Sequence, residues 1–443
     1  MALPLPHLLW GNADCVELAR TFGTPLYVMD ESMIRARCAE VRSAFLEKWP
    51  ATTACYASKA FLTKTMARMV CQEGLGLDVV SGGELHTALA ADFPPSRIEL
   101  HGNAKSEREL RAALSAGVGR VIVDGVMELE LLAALAAETG RKADILIRVA
   151  PGVNPHTHAH IVTGHTGSKF GLPIEGELLE SAVKFALASP GLALKGFHFH
   201  IGSQIFENSS HVEAVGRIAA LAARLKTRLG FEAEELNLGG GFGVGKLPDF
   251  SHSPHSPDKN VPSESHVPLH LFTDAMMEAL TRECRARGLA RPAVAIEPGR
   301  WIVAEAGITL YAVETIKRLP GVTYVGVDGG MPDNPRPSLY QAAYEGVVAN
   351  KISAPAAEKA TIAGKCCETG DILVESIALP PVERGDIVAI FNTGAYNFSM
   401  ASNYNRLPRP AVVLVKDGRA DVVVARQTHD DLLRGDAIPD RMR

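Results

Sequence analysis

From about Met33 to Arg300, short apolar or β-branched runs alternate eight times with longer amphipathic segments, a rhythm that few folds accommodate. The runs are ACYA from Ala54, LDVV from Leu77, IELH from Ile98, RVIVD from Arg120, DILIRV from Asp144, LKGFHFH from Leu194, ELNL from Glu235 and AVAIE from Ala293. Between them, segments such as LTKTMARMVCQEG, GELHTALAADF, SERELRAALSAGV, GVMELELLAALAAETG and DAMMEALTRECRARG repeat apolar residues near helical spacing. Eight βα units in series predict a (β/α)8 barrel. After Arg300 the rhythm changes to strand-like alternation broken by turns, in GITLYAVETIKRL, YVGVDGG, DIVAIFNTG, PAVVLVKDG and DVVVARQ, which predicts a second, mostly β domain. LYVMD at Leu26 reads as one more strand of that domain. The expected organisation is a segment 1–32 that joins the β domain, an α/β barrel over 33–300, and a C-terminal β domain over 301–443.

A net charge of -5, from 45 basic and 50 acidic residues with no long run of either sign, gives no electrostatic case for nucleic acid or a membrane surface. A small molecule is the expected partner. No apolar run approaches the ~20 residues that a membrane span needs. The opening MALPLPHLLWGNAD has no basic region and is broken by two prolines and a histidine, unlike a secretory leader. Seven cysteines, at 15, 38, 55, 71, 284, 366 and 367, form an odd set without CxxC spacing, which fits a reducing cytoplasm. Val244 to Pro268 is rich in Ser, Pro and His without a hydrophobic period and reads as a long surface loop. His252, His255, His266 and His270 have no matching Cys or carboxylate ligands at tight spacing, so no metal site is expected there.

A barrel carries its functional side chains where the strands end. Lys59 follows strand one, Asp78 to Ser81 close strand two, His101 and Asn103 follow strand three, and Arg148 closes strand five. His198 and His200 close strand six, Gly239 to Gly243 follow strand seven, and Glu297 with Arg300 closes strand eight. In CYASKAF, a buried strand that ends on Lys59 would desolvate the amine and ease its proton loss, making a nucleophile toward carbonyl compounds. The plainer reading is a lysine reaching solvent. GGGFG either marks a tight turn or removes side chains so that backbone N–H groups can approach an anion, and barrels often hold a phosphate near the loops after strands seven and eight. HFHIGSQ adds the planar imidazole of His200 and the hydroxyl of Ser203. EPGR offers either a rim ion pair or, through Glu297, a carboxylate able to keep a pyridine nitrogen protonated. An imine-forming amine, a phosphate site, a ring-stacking surface and a pyridinium partner together describe pyridoxal 5'-phosphate.

With these residues in view, the chain resembles the barrel-type (fold type III) pyridoxal-phosphate-dependent decarboxylase family over nearly its whole length. The resemblance is carried by YASKAF, LGLDVVSGGEL, HGNAKS, SKFGL, HFHIGSQI, LNLGGGFG, EPGR, RPSLY at Arg336, CETGDIL at Cys367 and GAYNFSMASNYNRLPRP at Gly394. It implies that Lys59 is the Schiff-base lysine, that His200 stacks on the cofactor ring and that Glu297 pairs with its nitrogen. Ser203, Gly240, Gly241, Gly299 and Tyr396 would hold the phosphate, with Asp78 and Arg300 also in the cofactor site. Cys367 of the CETGD motif would return a proton after carbon dioxide leaves, a role that suits a thiol with its reference pKa of about 8.5. Neighbouring Cys366 is expected to be structural. Members are obligate homodimers with shared active sites, so Cys367 and Glu368 would be supplied in trans.

Substrate contacts fall, on the same resemblance, to Arg300, Arg336, Tyr340, Glu368 and Tyr396. Two guanidinium groups suit a second carboxylate, and Glu368 can receive a distal ammonium, which together fit meso-2,6-diaminopimelate. The alternative reading makes Arg336 and Tyr340 ordinary interface residues. Three departures accompany the match: YASKAF lacks a common asparagine, SKFGL follows HTG where aspartate is usual, and the Val244 to Pro268 loop is long. Alternative readings are a decarboxylase of ornithine, lysine or arginine, a racemase sharing the barrel and lysine, and a non-catalytic homologue. The acidic residue after Cys367 being Glu368, the carboxylate of Glu297 and the presence of both Lys59 and Cys367 argue against them in turn.

Overall fold

The computed structural model describes residues 6–153, 168–245 and 267–443. The long loop expected over Val244 to Pro268, with His252, His255 and His266, and the HTG before SKFGL therefore lie outside the described residues, apart from the loop's ends. The chain divides into two compact units. One takes the segment through Ile34 together with Val303–Arg443, and the other takes Arg35–Gly245 and Val267–Ile302.

The second unit is the barrel. Its strands are Thr52–Ala57, Gly76–Val79, Ile98–Leu100, Arg120–Val123, Ala143–Ala150, Leu192–His198, Glu235–Asn237 and Ala293–Ile296, numbered one to eight below. Every one of the eight expected runs contains or overlaps its strand. Neighbouring strands are parallel, strand six bridges five and seven, and strand eight pairs with strand one through Val294 and Thr52, which closes the sheet.

Helix ends follow local chemistry. The helix Glu107–Ala116 opens on a capping box between Ser106 and Glu109 and stops at Gly117, whose φ of +71° suits a residue without Cβ. Leu269–Arg287 forms one helix that starts five residues before the periodic segment at Asp274. His270 thus stands exposed on that helix instead of belonging to a histidine-bearing loop.

Barrel register explains where polar groups collect. Ala57, Asp78 and Glu99 are neighbours across strands one to three, and Arg148, His198 and Asn237 across strands five to seven. Asp78, Glu99, Arg148, His198 and Asn237 are all buried. Barrel interiors are usually filled by branched apolar side chains, so this concentration of buried polar residues sets the interior apart.

The other unit is a mostly β structure. Leu26–Asp30 pairs antiparallel with Gly307–Leu319 and parallel with Ala411–Lys416, so the N-terminal segment joins this sheet. Gly307–Leu319 alternates its faces, as the period of two requires. Ile308 and Leu310 enter one apolar cluster with Leu26, Val28, Val413 and Val415, whereas Tyr311 and Val313 enter another with Val325, Ile362, Leu373 and Val388. Glu358–Ala363 and Ile372–Leu379, an antiparallel pair, extend the sheet and were not anticipated by the sequence pattern. Among the described residues no helix is long and apolar enough to cross a membrane.

Candidate active site

At the carboxyl ends of strands six to eight, three short loops pack backbone against backbone. A Cβ on Gly240 would lie 2.1 Å from the carbonyl oxygen of Glu297, and one on Gly241, where φ is +93°, would lie 2.1 Å from that of Gly202. The glycine run is therefore demanded by loop packing, beyond any anion it might hold. Gly299 is similarly tight, with an added Cβ 2.8 Å from that of Ala57. The N–H of Gly240 donates to Nδ1 of His200 at 3.2 Å, which leaves the ring proton of a neutral His200 on Nε2. Burial, reinforced by the charge of Lys59, pushes the His200 pKa well below its ordinary value. Ser203 accepts from Arg300 Nη2 at 3.4 Å, and Arg300 opens the short helix Arg300–Val303.

Lys59 lies on a single 3-10 turn, Ser58–Ala60, just past strand one. Its side chain is exposed, in line with the plainer of the two readings, a lysine reaching solvent. The turn carries the lysine clear of the apolar strand. Its charge still reaches Asp78 and His200.

Glu297, 7% exposed, is the hub of the interior network. Its Oε1 receives Asn237 Nδ2 at 2.8 Å and faces Nε2 of His101 and of His198, each at 3.2 Å. The same Asn237 amide donates to Glu99 Oε2 at 2.9 Å, while its carbonyl oxygen accepts from Gly239 N–H at 3.0 Å, fixing which way the amide points. Burial would raise the Glu297 pKa, but the two imidazoles overcome it and hold the carboxyl well below the usual range. The histidines diverge. Burial drives His198 down to about 4, whereas His101, although buried, is carried up to about 10 by the carboxylates of Asp78 and Glu297. Their rings meet edge to face, centroids 4.9 Å apart. Asp78 is raised to about 6 because burial exceeds the pull of His101.

Glu99 and Asn237 were not singled out as site residues, and His101 and His198 were placed at strand ends without a role. The signal was present as a charge in the middle of IEL and an amide at the end of ELN.

In the β unit, Arg336 opens the short helix Arg336–Tyr340 and is buried, its guanidinium 5.0 Å from the ring centre of Tyr340 and 5.3 Å from that of Tyr396. No carboxylate pairs with it among the described residues. Cys367 and Glu368 are exposed, and Cys367 N–H donates to Asn405 Oδ1 at 2.8 Å. Cys366 is buried, and burial together with Asp371 lifts its thiol to about 12.

The residues present suit a pyridoxal group. A buried, ionised carboxylate is what a protonated ring nitrogen requires, and a neutral imidazole and an accessible amine accompany it in the same unit. Fold and site thus define a barrel enzyme built for this cofactor. The family described as "Pyridoxal-dependent decarboxylase, pyridoxal binding domain" matches residues 31–304. Diaminopimelate decarboxylase of Bacillus subtilis is 45% identical over 97% of this chain and 95% of its own length, and that of Bacillus methanolicus is 44% identical over 95% and 94%. Among solved structures, diaminopimelate decarboxylase from M. jannaschii in complex with L-lysine superposes with a TM-score of 0.86 at 35% identity, covering 97% of this chain and 96% of that one. The chain belongs to the pyridoxal-dependent decarboxylases and, within them, to the diaminopimelate decarboxylase branch.

Proposed function

We propose that the protein decarboxylates meso-2,6-diaminopimelate to L-lysine and carbon dioxide with pyridoxal 5'-phosphate, the last step of lysine biosynthesis. The observation that carries this reading is the Glu297 carboxylate, buried at the end of strand eight between Asn237, His101 and His198, in a chain that matches diaminopimelate decarboxylases over almost its full length. When bound, pyridoxal phosphate supplies an electron-withdrawing ring that accepts the electrons left as carbon dioxide departs.

The chain's own residues divide the remaining work. Lys59 offers the amine that anchors the cofactor, Glu297 holds a proton on the ring nitrogen, and His200 lies against the ring. Ser203, Gly240, Gly241, Gly299 and Tyr396 take the phosphate, with Asp78 and Arg300 completing the cofactor site. Arg336, buried and within cation–π distance of two tyrosine rings, receives the distal carboxylate with Arg300, Tyr340 and Tyr396. Glu368 receives the distal ammonium. Cys367 donates the proton that replaces the lost carboxylate. We extend the reading to a cytoplasmic homodimer in which each site takes Cys367 and Glu368 from the second copy.

Purified protein supplied with pyridoxal phosphate and meso-diaminopimelate should release carbon dioxide and lysine in equal amounts. Preference for ornithine, lysine or arginine as substrate would reject the assignment.

A further inference from the structure

We propose that His101 is a positioning residue: it stands among Asp78, Glu99 and Glu297 as an imidazolium and supplies the positive charge that keeps Glu297 ionised for the cofactor ring. The inference rests on the reading of Glu297 as the partner of the ring nitrogen.

Three carboxylates converge on one ring nitrogen. His101 Nε2 lies 3.2 Å from Glu297 Oε1, 3.5 Å from Glu99 Oε2 and 3.8 Å from Asp78 Oδ1, and these residues come from strands two, three and eight. All four side chains are at most 8% exposed, so water cannot dissipate the charge. Negative groups gathered in a poorly solvated interior need a compensating cation or must take up protons.

The other groups around the cluster do not meet that need. Asn237 binds both Glu99 and Glu297 but is neutral. The Cys55 thiol also faces the cluster, and burial together with Glu99 keeps it protonated and uncharged. Arg148 has its ion-pair contact with Asp124, at 3.9 Å, and acts on Asp78 and Glu297 only through space, while exposed Lys59 reaches Asp78 in the same way, so neither touches the three carboxylates. His198 reaches Glu297 from strand six, yet a second charge 4.9 Å from an imidazolium is disfavoured, and burial keeps His198 neutral. That leaves His101, whose affinity for its proton these carboxylates raise. The two histidines are therefore unequal: one carries charge, and the other donates a neutral hydrogen bond.

The test is the ring state of His101 in the full-length holoenzyme, read by NMR with histidine labelled at Cε1 and assigned by loss of its signal in His101→Gln. An imidazolium signal that persists from pH 6 to pH 8.5 or so is expected, and a neutral ring at pH 7.5 overturns the proposal. If the variant does not fold, neutron diffraction from deuterated wild-type crystals reads the same nitrogens, with deuterons expected on both. In a folded His101→Gln, the acid limb of the kcat profile should move toward neutrality, with kcat at a pH on that limb falling about tenfold per unit of displacement while KM changes little. An unmoved profile overturns the positioning role. Failure of the cofactor reading would show separately, as absence of a covalent cofactor adduct on Lys59.

Discussion

Asn237 ties the network at Glu297 together with one amide, donating to two carboxylates and accepting from Gly239. Replacing it by leucine would leave two buried anions and a backbone N–H without that partner, and each such loss costs about 1–3 kcal/mol. Asn237→Leu should therefore lower unfolding stability by about 3 kcal/mol or more, measured by urea denaturation, and raise the Glu297 pKa. The histidines predict opposite pH limbs. His101 has a folded pKa of about 10 against an ordinary 6.5, so its contribution is fully present below pH 6.5 and is lost as pH rises toward 10. His198, lowered to about 4, resists protonation when folded, so its burial weakens stability as pH falls from 6.5 toward 4. Denaturation at a series of pH values should show both limbs, with the alkaline one diminished in His101→Gln. At this scale the sequence was only partly legible. Lys59, His200 and Glu297 could be picked out because strand ends are exposed to chemistry, but Glu99 in the middle of strand three and Asn237 as the last residue of strand seven are buried within short strands, where only register brings them to Glu297.

Loops and turns position these side chains more than strand propensity does. The HGNAKS loop, which carries His101, is clamped by Lys105: its buried ammonium donates to the carbonyls of Gly102 and Ile122 at 2.6 and 2.8 Å and pairs with Glu128 at 2.8 Å. Lys105→Met would strand Glu128 in the interior, and breaking a buried pair in this way costs about 3–5 kcal/mol. Calorimetry should show a correspondingly lower melting temperature. Gly240→Ala would drive a methyl into the Glu297 carbonyl and displace one loop or the other, destabilising by about 1–3 kcal/mol and weakening cofactor retention in dialysis. All eight barrel strands were legible because each is a compact apolar run bounded by helical periodicity. Glu358–Ala363 and Ile372–Leu379 escaped notice because EKATIA and ILVESIAL mix charge into short strands whose pairing, not composition, defines them. Lys59 follows the plainer of its two readings, exposed on a single 3-10 turn beyond strand one, and that turn is invisible to strand periodicity.

At the scale of the whole molecule, the two units carry complementary sets of candidate residues. The barrel unit holds Lys59, His200 and Glu297, and the β unit holds Arg336, Cys367 and Glu368. If each site is shared between two copies, Lys59→Ala and Cys367→Ala are separately inactive, yet mixed and exchanged subunits regenerate one intact site per heterodimer, about one quarter of wild-type activity for random pairing. Sites built within one copy would give no recovery. Most directly at stake is the covalent attachment of the cofactor. Holoenzyme reduced with borohydride and digested for peptide mass mapping should carry the pyridoxyl group on the peptide containing Lys59; an unmodified Lys59, or an adduct on another lysine, would contradict the account.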